Sequence, residues 1–265
     1  MKKSVLFSLV LAAVIIIGCA SVPLTGRNRV MLVSDNEVLS SSLTQYNEYM
    51  TTATRSSNAA QTAMVQRVGK KIAAATEKFL TDNGLGSEVA QYSWEFNLVK
   101  DEEMNAFCMP GGKIVVYEGI MPLCDSDDDL AVVIGHEVAH AVAKHSNERL
   151  SQQMLASYGS AILDAALSTR SEAARQLGQT VYGLGANYGV MLPYSRKHEL
   201  EADHMGLIFM AMAGYDPAKA IAFWQKMAAA SPTPIPPFMS SHPSDAKRIA
   251  EIEKYLPDAQ KYYTK

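Results

Sequence analysis

The sequence predicts an α+β protein that is mainly α-helical and has one small β-sheet. Helical patterning recurs in four stretches, which are residues 35–82, the apolar segment after Ser126, residues 149–190 and the segment from Ser195 onward. Strand patterning is confined to residues 92–98, where aromatic and apolar residues alternate, and to the apolar run 114–116. At 265 residues and 48% hydrophobic content, the chain can bury a substantial core.

Start and stop signals divide the helical stretches. Asn58 is a helix-start residue type and Gly84 a stop signal, so residues 35–82 predict two helices. In the segment MAGYDPAKA, Gly214 predicts the end of one helix, and Asp216 followed by proline predicts the start of the next. The glycines near residue 185 are expected to loosen the end of the 149–190 stretch.

The pentapeptide HEVAH lies inside the apolar segment that follows the acidic residues 127–129. Residues four apart share one helix face, so His136 and His140 present two imidazoles to one point, as a tetrahedral zinc ion needs. Glu137 lies beside them and can take a proton as the metal-bound water attacks a carbonyl. A buried core or surface histidine is the alternative, but two histidines and a glutamate in an apolar helix are costly unless a metal satisfies them. The motif predicts one zinc ion per chain and peptide hydrolysis.

A catalytic zinc site takes three protein ligands and keeps one position open. In the segment SRKHELEADHMG, Glu199 and Asp203 are four apart and share a helix face, whereas Glu201 is rotated by roughly 200° from Glu199. We therefore expect Glu199 to be the third ligand and Asp203 to orient a ligand histidine through its other ring nitrogen. Glu201 remains the alternative ligand, and a solvated acidic helix face is the alternative for the whole group.

Three segments, HEVAH, SRKHELEADHMG leading into MAGYDP, and SHPSDAKRI, resemble the HtpX and CAAX-prenyl-protease family of zinc metallopeptidases, of the gluzincin type. Within it, the chain is similar to the small bacterial lipoprotein members. The resemblance implies a gluzincin-type metalloprotease domain, with a small β-sheet edging the active-site cleft. Its ExxxD pattern falls on Glu199 and Asp203.

The turn Pro110–Gly112 precedes the second predicted strand. Extended substrates commonly add to an exposed strand edge, and glycines let another backbone approach closely. The resemblance places the substrate along this strand, with Asn105 and Ala106 near the cleft. The substrate contacts expected on this basis are Asn105, Ala106, Gly111, Gly112, Lys113 and Ile114. An ordinary turn between strands is the alternative.

His242 lies in the proline-rich segment SPTPIPPFMSSHPSD, which cannot form a helix, and Ser244 is expected to cap the next helix. The resemblance implies that His242 and Arg248 both face the zinc site and aid catalysis. A cationic donor there would stabilise the developing oxyanion. His242 could instead occupy the open zinc position, and the sequence leaves both roles open. The remaining histidines, His145, His198 and His204, are assigned to surface or supporting positions.

The N-terminus predicts export. Two lysines precede an apolar run from Val5 to Ile17, which is too short for a membrane span of about 20 residues. Gly18 and Cys19 then resemble a bacterial lipobox, although Ile17 departs from its usual pattern. The predicted division is a lipoprotein signal peptide at 1–18, a tether at 19–34 and a zinc metallopeptidase domain at 35–265. A cleaved signal with an incidental cysteine and an uncleaved anchor are the alternatives.

Lipidation of Cys19 would anchor the protein in the bacterial cell envelope, and alanine after the cysteine favours the inner leaflet of the outer membrane, facing the periplasm. Cys108 and Cys124 then remain as a pair in an oxidising compartment, so a disulfide between them is a candidate that the sequence leaves open. A cysteine nucleophile is not needed, because the zinc group accounts for the chemistry.

The formal net charge is −3 and no basic cluster is present, so nucleic acid is excluded as a partner. The predicted function is a zinc metalloendopeptidase that hydrolyses misfolded or unassembled envelope proteins, with peptides or unfolded proteins as substrates. The alternative is an assembly or holdase lipoprotein with a structural or gated zinc site, which would act beside the outer-membrane assembly machinery. A zinc hydrolase with a non-peptide substrate is disfavoured only by the resemblance.

Overall fold

The computed structural model describes residues 19–186, 191–230, 242 and 246–264. Contacts divide the chain into two compact units, Met1–Glu37 with Lys144–Lys197, and Val38–Ala143 with His198–Lys265. The predicted signal peptide and the Ser244 cap lie outside the described residues, and the domain division predicted at residues 19 and 35 stays a prediction. Among the described helices, none combines the length and apolar character needed to cross a membrane.

The elements are numbered in chain order. The strands are β1 (Cys19–Ser21), β2 (Asn28–Val30), β3 (Glu95–Val99), β4 (Ala106–Met109) and β5 (Lys113–Tyr117). The helices are α1 (Asp35–Thr52), α2 (Ala59–Asp82), α3 (Gly86–Val89), α4 (Asp127–Val142), α5 (His145–Ala166), α6 (Glu172–Ala186), α7 (Leu192–Met212), α8 (Lys219–Ala229) and α9 (Ala246–Gln260). A short 3₁₀ helix, Glu118–Leu123, links β5 to the segment before α4. The described chain is mainly helical with a small sheet, as the sequence predicts.

The first unit contains a β-hairpin and a helical hairpin. Strands β1 and β2 are antiparallel, with Cys19 opposite Val30. The stretch predicted to be helical over residues 149–190 is divided into α5 and α6, which are joined by a turn after Ala166.

The second unit contains a three-stranded sheet in the order β3-β5-β4. The central strand β5 is parallel to β3 and antiparallel to β4. The predicted strand at 114–116 is confirmed within β5. The half-buried strand predicted over 92–98 is wrong in its bounds and its pattern, since β3 begins at Glu95 and its next four residues are all buried. The sequence analysis did not identify β4 as a strand.

Local signals at helix ends are largely confirmed. The side chain of Asn58 accepts a hydrogen bond from the backbone N–H of Gln61 at 3.1 Å and caps α2. Gly84 follows that helix with φ +75°, in the left-handed region that favours glycine. Asp216 does not cap α8 directly. Its Oδ1 accepts from the backbone N–H of Ala218 at 3.0 Å in the turn that precedes the helix.

Helix α4 is buried along most of its length and begins with a capping box. The hydroxyl of Ser126 accepts a hydrogen bond from the backbone N–H of Asp129, and the Asp129 carboxylate accepts from the backbone N–H of Ser126 at 3.0 Å. Three acidic residues in the first turn complement the positive end of the helix dipole. The acidic run therefore starts the helix at the position that the sequence predicts.

Helices α4 and α7 cross in backbone contact at two glycines. A Cβ atom placed on Gly135 would lie 2.8 Å from the carbonyl oxygen of Gly206. A Cβ atom on Gly206 would lie 2.9 Å from the carbonyl carbon of Gly135 and from the backbone nitrogen of His136. Real Cβ atoms do not approach backbone so closely, so only glycine permits this separation of the two helices. Gly206 shares a helix face with Glu199 and Asp203, so the crossing brings that face towards His136.

Substitution Gly135→Ala is expected to separate the two helices and to destabilise the chain by about 1–3 kcal/mol, because the added methyl group meets backbone that cannot move alone. Urea unfolding followed by circular dichroism measures this change. Gly183→Ala is the matched control, because a Cβ atom at Gly183 in α6 meets no atom within 4 Å. That variant should be more stable by up to about 1 kcal/mol, and equal effects of the two changes would contradict a close glycine crossing.

Candidate metal centre

The structure brings together the three side chains expected to bind zinc. Nε2 of His136 lies 3.0 Å from Nε2 of His140. The carboxylate of Glu199 spans both rings, with Oε2 3.3 Å from Nε2 of His136 and Oε1 3.4 Å from Nε2 of His140. Two adjacent turns of α4 position the histidines, and α7 supplies the carboxylate across the glycine crossing.

A fourth potential donor, His242, joins this group. Its Nδ1 lies 3.2 Å from Nε2 of His136 and 3.1 Å from Oε2 of Glu199. One atom from each of His136, His140, Glu199 and His242 lies within 4.8 Å of the others. Among the described residues, Glu201 does not belong to this group, although it is buried on the same helix as Glu199. We call these four residues the donor group.

Asp203 holds the first histidine from the side opposite the donor group. Its Oδ1 lies 2.9 Å from Nδ1 of His136, so the other ring nitrogen, Nε2, is turned towards the donors. The structure therefore places Asp203 beside the ring nitrogen of His136 that faces away from the donors, as the sequence predicts.

Arg248 lies behind the donor group and is only 3% exposed. Its Nε donates to Oδ2 of Asp203 at 2.6 Å and its Nη2 to Oδ1 at 2.7 Å. Its Nη1 donates to the backbone carbonyl of His242 at 3.2 Å. Because the guanidinium binds these groups, it fixes Asp203 and the backbone of His242. Nη1 also lies 3.4 Å from Oε2 of Glu199, so Arg248 faces the donor group as the resemblance implies. Its expected role towards the oxyanion stays a prediction.

The sequence patterns did not identify Trp224, whose side chain packs against His136 and Arg248. The indole is 1% exposed, and its ring centroid lies 5.6 Å from that of His136. The guanidinium carbon of Arg248 lies 4.3 Å from the indole centroid, which is a cation–π contact. The indole therefore packs against both the first histidine and the arginine. No local motif marks Trp224, because it is an apolar residue on a separate helix.

Glu137 has one bound and one unbound carboxylate oxygen. Oε2 accepts a hydrogen bond from the backbone N–H of Cys108 in β4 at 3.1 Å. Oε1 is buried and, within the described chain, lacks a hydrogen-bond partner, although Nε2 of His242 lies 3.5 Å away. A buried carboxylate oxygen without a donor is costly. Glu137 therefore presents an acceptor that a water molecule held at the donor group would satisfy.

The donor set fits a zinc ion. Imidazole nitrogens and a carboxylate are ordinary zinc ligands, and their close grouping is unfavourable unless a proton or a cation lies among them. His136, His140 and Glu199 would hold the ion, with His242 available as a fourth donor. The unpaired oxygen of Glu137 is the second observation that supports this assignment.

The charges around the donor group favour a cation. Burial lowers the pKa of His136 and the charge of Arg248 lowers it further, but hydrogen bonds to Asp203 and Glu199 outweigh both and raise that pKa to about 9. Burial raises the pKa of Glu199, yet the charge of His140 and hydrogen bonds from the histidines hold it well below its usual range. Without metal, the carboxylates thus retain a proton on His136. A divalent cation would replace that proton.

The structure corrects the expected substrate strand. Lys113 and Ile114 are buried in β5, which is the central strand and is paired on both sides, so no substrate can add to it. The carbonyls of Gly111 and Gly112 accept hydrogen bonds at 2.9 Å from backbone N–H groups that lead into β3. A Cβ atom on Gly112 would lie 2.6 Å from the Trp94 ring. The close approach at this glycine is therefore that of the Trp94 side chain and not that of a substrate backbone.

Ala106 begins β4 and Asn105 precedes it, and their expected position near the cleft stays a prediction. This strand lies at the edge of the sheet, and Cys108 within it donates to Glu137. The edge strand next to Glu137 is therefore β4, one strand earlier in the chain than expected, and its contact with substrate stays a prediction.

Cys108 and Cys124 are both free, so the candidate disulfide is not formed. Cys108 lies on the sheet edge, where its thiol approaches the carbonyl of Met109. Cys124 is buried after the 3₁₀ helix, with its sulfur 3.7 Å from the carbonyl of Ile120. Burial raises the pKa of the Cys124 thiol to about 12, which opposes reaction as a thiolate. The lipidation expected at Cys19 stays a prediction.

The remaining histidines lie outside the donor group. His145 and His198 are buried, which excludes a surface position and leaves a supporting one. His204 lies 3.2 Å from the carboxylate of Asp258 and stacks on Tyr255, with ring centroids 4.4 Å apart.

Replacement of Asp203 by asparagine is expected to weaken zinc affinity by ~10- to 100-fold, because His136 loses its charged acceptor. Competition with a chromophoric chelator measures the affinity. Asp258→Asn removes a carboxylate from His204 in the same way but at a histidine outside the donor group. The Asp258→Asn variant should leave zinc affinity unchanged. An unchanged zinc affinity in Asp203→Asn would contradict a role for its contact with His136.

Zinc affinity should depend on pH, because the metal must displace the proton of His136. A folded-state pKa raised to about 9 means that the proton is bound below that pH and is lost above it. Affinity is therefore expected to rise by about tenfold per pH unit from pH ~7 to ~8 and to level off above pH ~9. Chelator competition, corrected for the chelator's own protonation, measures the slope, and a flat profile would contradict this assignment.

Comparisons with known proteins agree with this geometry. The model of peptidase family M48 matches residues 59–256, a span that includes the whole donor group. The mitochondrial metalloendopeptidase OMA1 of Schizosaccharomyces pombe is 40% identical over 176 residues, which is 66% of this chain and 50% of the relative. The corresponding protein of Arabidopsis thaliana is 38% identical over 61% of this chain and 31% of the relative.

A bacterial relative is more distant. The β-barrel assembly-enhancing protease of Escherichia coli is 26% identical over 181 residues, which is 64% of this chain and 37% of the relative. The matched part of the chain thus spans between 31% and 50% of the length of these three relatives. The family and its relatives confirm the predicted mainly helical α+β fold, the zinc metallopeptidase class and zinc as the cofactor. The chain belongs to peptidase family M48.

Proposed function

We propose that this chain is a zinc-dependent metalloendopeptidase that hydrolyses misfolded or unassembled proteins in the bacterial envelope. The observation that supports the reaction most directly is the arrangement of Glu137. One of its carboxylate oxygens accepts a hydrogen bond from the β4 backbone at 3.1 Å. The other is buried beside the donor group and accepts no hydrogen bond from the residues that the structure describes. A structural zinc site needs no such acceptor.

Bound zinc supplies a Lewis acid that polarises the scissile carbonyl and lowers the pKa of a water molecule. Glu137 then takes a proton from the attacking water at Oε1 and returns it to the leaving amine. The hydrogen bond from Cys108 holds the carboxylate in place during both transfers. Asp203 keeps Nδ1 of His136 occupied, so Nε2 stays directed to the metal.

The substrate is expected to bind along the outer edge of β4. The backbone N–H of Tyr117 donates to the carbonyl of Asn105 at 3.0 Å, and that of Gly112 donates to the carbonyl of Met109 at 3.2 Å. Odd-numbered residues of β4 thus face β5, and alternation turns the backbone groups of Ala106 and Cys108 outwards. The N–H of Cys108 already donates to Glu137, and that of Ala106 donates to Oδ1 of Asn105 at 2.9 Å. An extended peptide beside Glu137 would therefore pair with this edge through the outward carbonyls of Ala106 and Cys108.

Two observations support an envelope location. The apolar run before Cys19 is similar to a lipoprotein signal, which would give a lipid-anchored protein on the periplasmic side of the outer membrane. The relative from Escherichia coli is named for β-barrel assembly, a process of the outer membrane. We place the chain with the small bacterial lipoprotein members of its family on these grounds.

The proposed reaction is tested by incubating an unfolded protein with the purified chain, with and without chelator. Glu137→Gln is expected to keep zinc but to lose at least ~100-fold in cleavage rate, because the proton acceptor is removed. Chelator should abolish cleavage, and zinc should restore it.

Glu201→Gln is the matched control, because Glu201 is a buried glutamate on α7 outside the donor group. It should cleave at the rate of the unsubstituted chain. If the Glu137→Gln variant and the chelated chain both cleave as fast as the unsubstituted zinc-loaded chain, the proposed mechanism is contradicted and a contaminating protease is indicated.

The position of His242 favours a gated zinc site, which links the peptidase to the assembly-factor alternative. Nδ1 of His242 lies about as close to Glu199 as the other two imidazoles do. In a zinc-loaded chain His242 would therefore compete for the position that a catalytic site keeps for water. A chain in this state would hold zinc without cleaving, and a partner or substrate that withdraws His242 would activate it.

The change His242→Ala is therefore expected to raise the cleavage rate several-fold while zinc remains bound to the other three donors. Cleavage of the unfolded protein and zinc content are measured on the same samples. His204→Ala is the control, since His204 contacts Asp258 outside the donor group. Loss of cleavage with retained zinc would assign His242 to catalysis and contradict gating.

A further inference from the structure

Helices α5 and α6 of the first unit form a hairpin that exposes large apolar side chains. Six of the nine exposed large apolar side chains in the described chain lie on it: Leu150, Leu155, Tyr158, Ile162, Leu177 and Val181. Ile162 is 65% exposed and Leu177 66% exposed. Single exposed apolar residues are ordinary, but a concentration on one element marks an interaction surface.

Five of these residues form one surface, which we call the apolar face: Leu155, Tyr158 and Ile162 of α5 with Leu177 and Val181 of α6. Spacings of three and four residues align them along their helices. The two helices contact each other through Ser160 with Gln179 at 2.7 Å and through Tyr182 with the carbonyl of Ala156 at 2.9 Å. Each residue turns by about 100° around the helix axis. Relative to the interhelical contacts, this rotation places the α5 part and the α6 part of the apolar face on the same side of the hairpin.

The charges of the hairpin lie away from this face. Arg175 pairs with Asp164 at 2.8 Å and with Glu172 at 3.5 Å, and helical spacing places all three outside the apolar face. Across α5 and α6, three arginines, counting Arg170 in the turn between them, balance three acidic residues. The hairpin thus offers apolar contact without a net charge to attract an oppositely charged partner.

The N-terminal segment is fixed to the same helix. The backbone N–H of Leu32 donates to the hydroxyl of Ser151 in α5 at 2.9 Å. Arg27 forms an ion pair at 2.7 Å with Glu148, whose side chain is 1% exposed. These contacts hold Arg27 and Leu32 against the first turns of α5, and Cys19 pairs with Val30 in the same unit. The proposed anchor residue, Cys19, therefore belongs to the unit that contains the hairpin.

We infer that the apolar face inserts into the interfacial region of a lipid bilayer and holds the first unit against the membrane. The inference rests on the proposed attachment of the chain to a membrane. Amphipathic helices that lie in the plane of a bilayer bury their apolar side about 5–10 Å deep at the headgroup boundary. The attached N-terminus brings this face to the membrane, and the balanced charge makes insertion independent of anionic lipid.

The test measures where α5 lies relative to lipid. The full chain is reconstituted with vesicles of zwitterionic phosphatidylcholine that have brominated acyl chains, and it carries Ile162→Trp in the apolar face. Gln153→Trp is the matched control, because residue 153 is exposed on the opposite side of α5. The emission of Trp94 and Trp224 is subtracted by using the unsubstituted chain.

Bromine is expected to quench most of the added emission of the Ile162→Trp variant and to leave that of Gln153→Trp unchanged. Leu177→Trp should behave as Ile162→Trp does, and anionic lipid should not alter either result. Three outcomes would overturn the inference: equal quenching of both probes, quenching that requires anionic lipid, or a blue shift without quenching that grows with protein concentration, which would assign the face to a second copy.

Flotation of the vesicles separates this inference from the proposed attachment. If the chain floats with the vesicles while the Ile162→Trp emission stays unquenched, attachment holds and the insertion of the hairpin is wrong. If the chain does not float, both are wrong.

Discussion

The close crossing of α4 and α7 determines the metal centre. Gly135 and Gly206 let the two backbones touch, and this contact brings the helix that carries His136 and His140 to the helix that carries Glu199 and Asp203. With any larger residue at the crossing, Glu199 would move away from His136 and His140. The HEVAH segment supplies two donors, but the third depends on a backbone distance that two glycines permit. The same backbone contact therefore determines both the packing of the two helices and the position of the third donor, Glu199.

Buried side chains of both charges surround the histidines at that crossing. Glu199 contacts the imidazole nitrogens on the open side, and Asp203 contacts the other nitrogen of His136 from behind. Arg248 neutralises Asp203 while packed on Trp224, so the rear carboxylate is buried with a partner. On the open side, Glu199 contacts Nε2 of His136 and of His140, and Oε1 of Glu137 lies 3.5 Å from Nε2 of His242. Glu137 is held by the sheet edge, which couples the position of the proton acceptor to the strand expected to bind substrate.

The sequence predicted what local patterns encode. Helix periodicity and the acidic run located α4, the four-residue spacings grouped His136 with His140 and Glu199 with Asp203, and the cap residue Asn58 marked the start of α2. It could not predict features that depend on which elements become neighbours. The order of the sheet made β4 the edge strand and buried Lys113, although the glycine turn drew attention to β5. Trp224 and the glycine crossing have no local signature, because each acts through a contact between distant segments.

The central claim is that one zinc ion is bound by His136, His140 and Glu199, with His242 as the fourth donor. X-ray absorption spectroscopy of the zinc-loaded chain tests it most directly, because the method reports the ligand atoms themselves. The account predicts a nitrogen and oxygen shell with the signature of three imidazoles, of which one is lost in His242→Ala. A sulfur shell from Cys108 or Cys124, or a spectrum with fewer than two imidazoles, would contradict it.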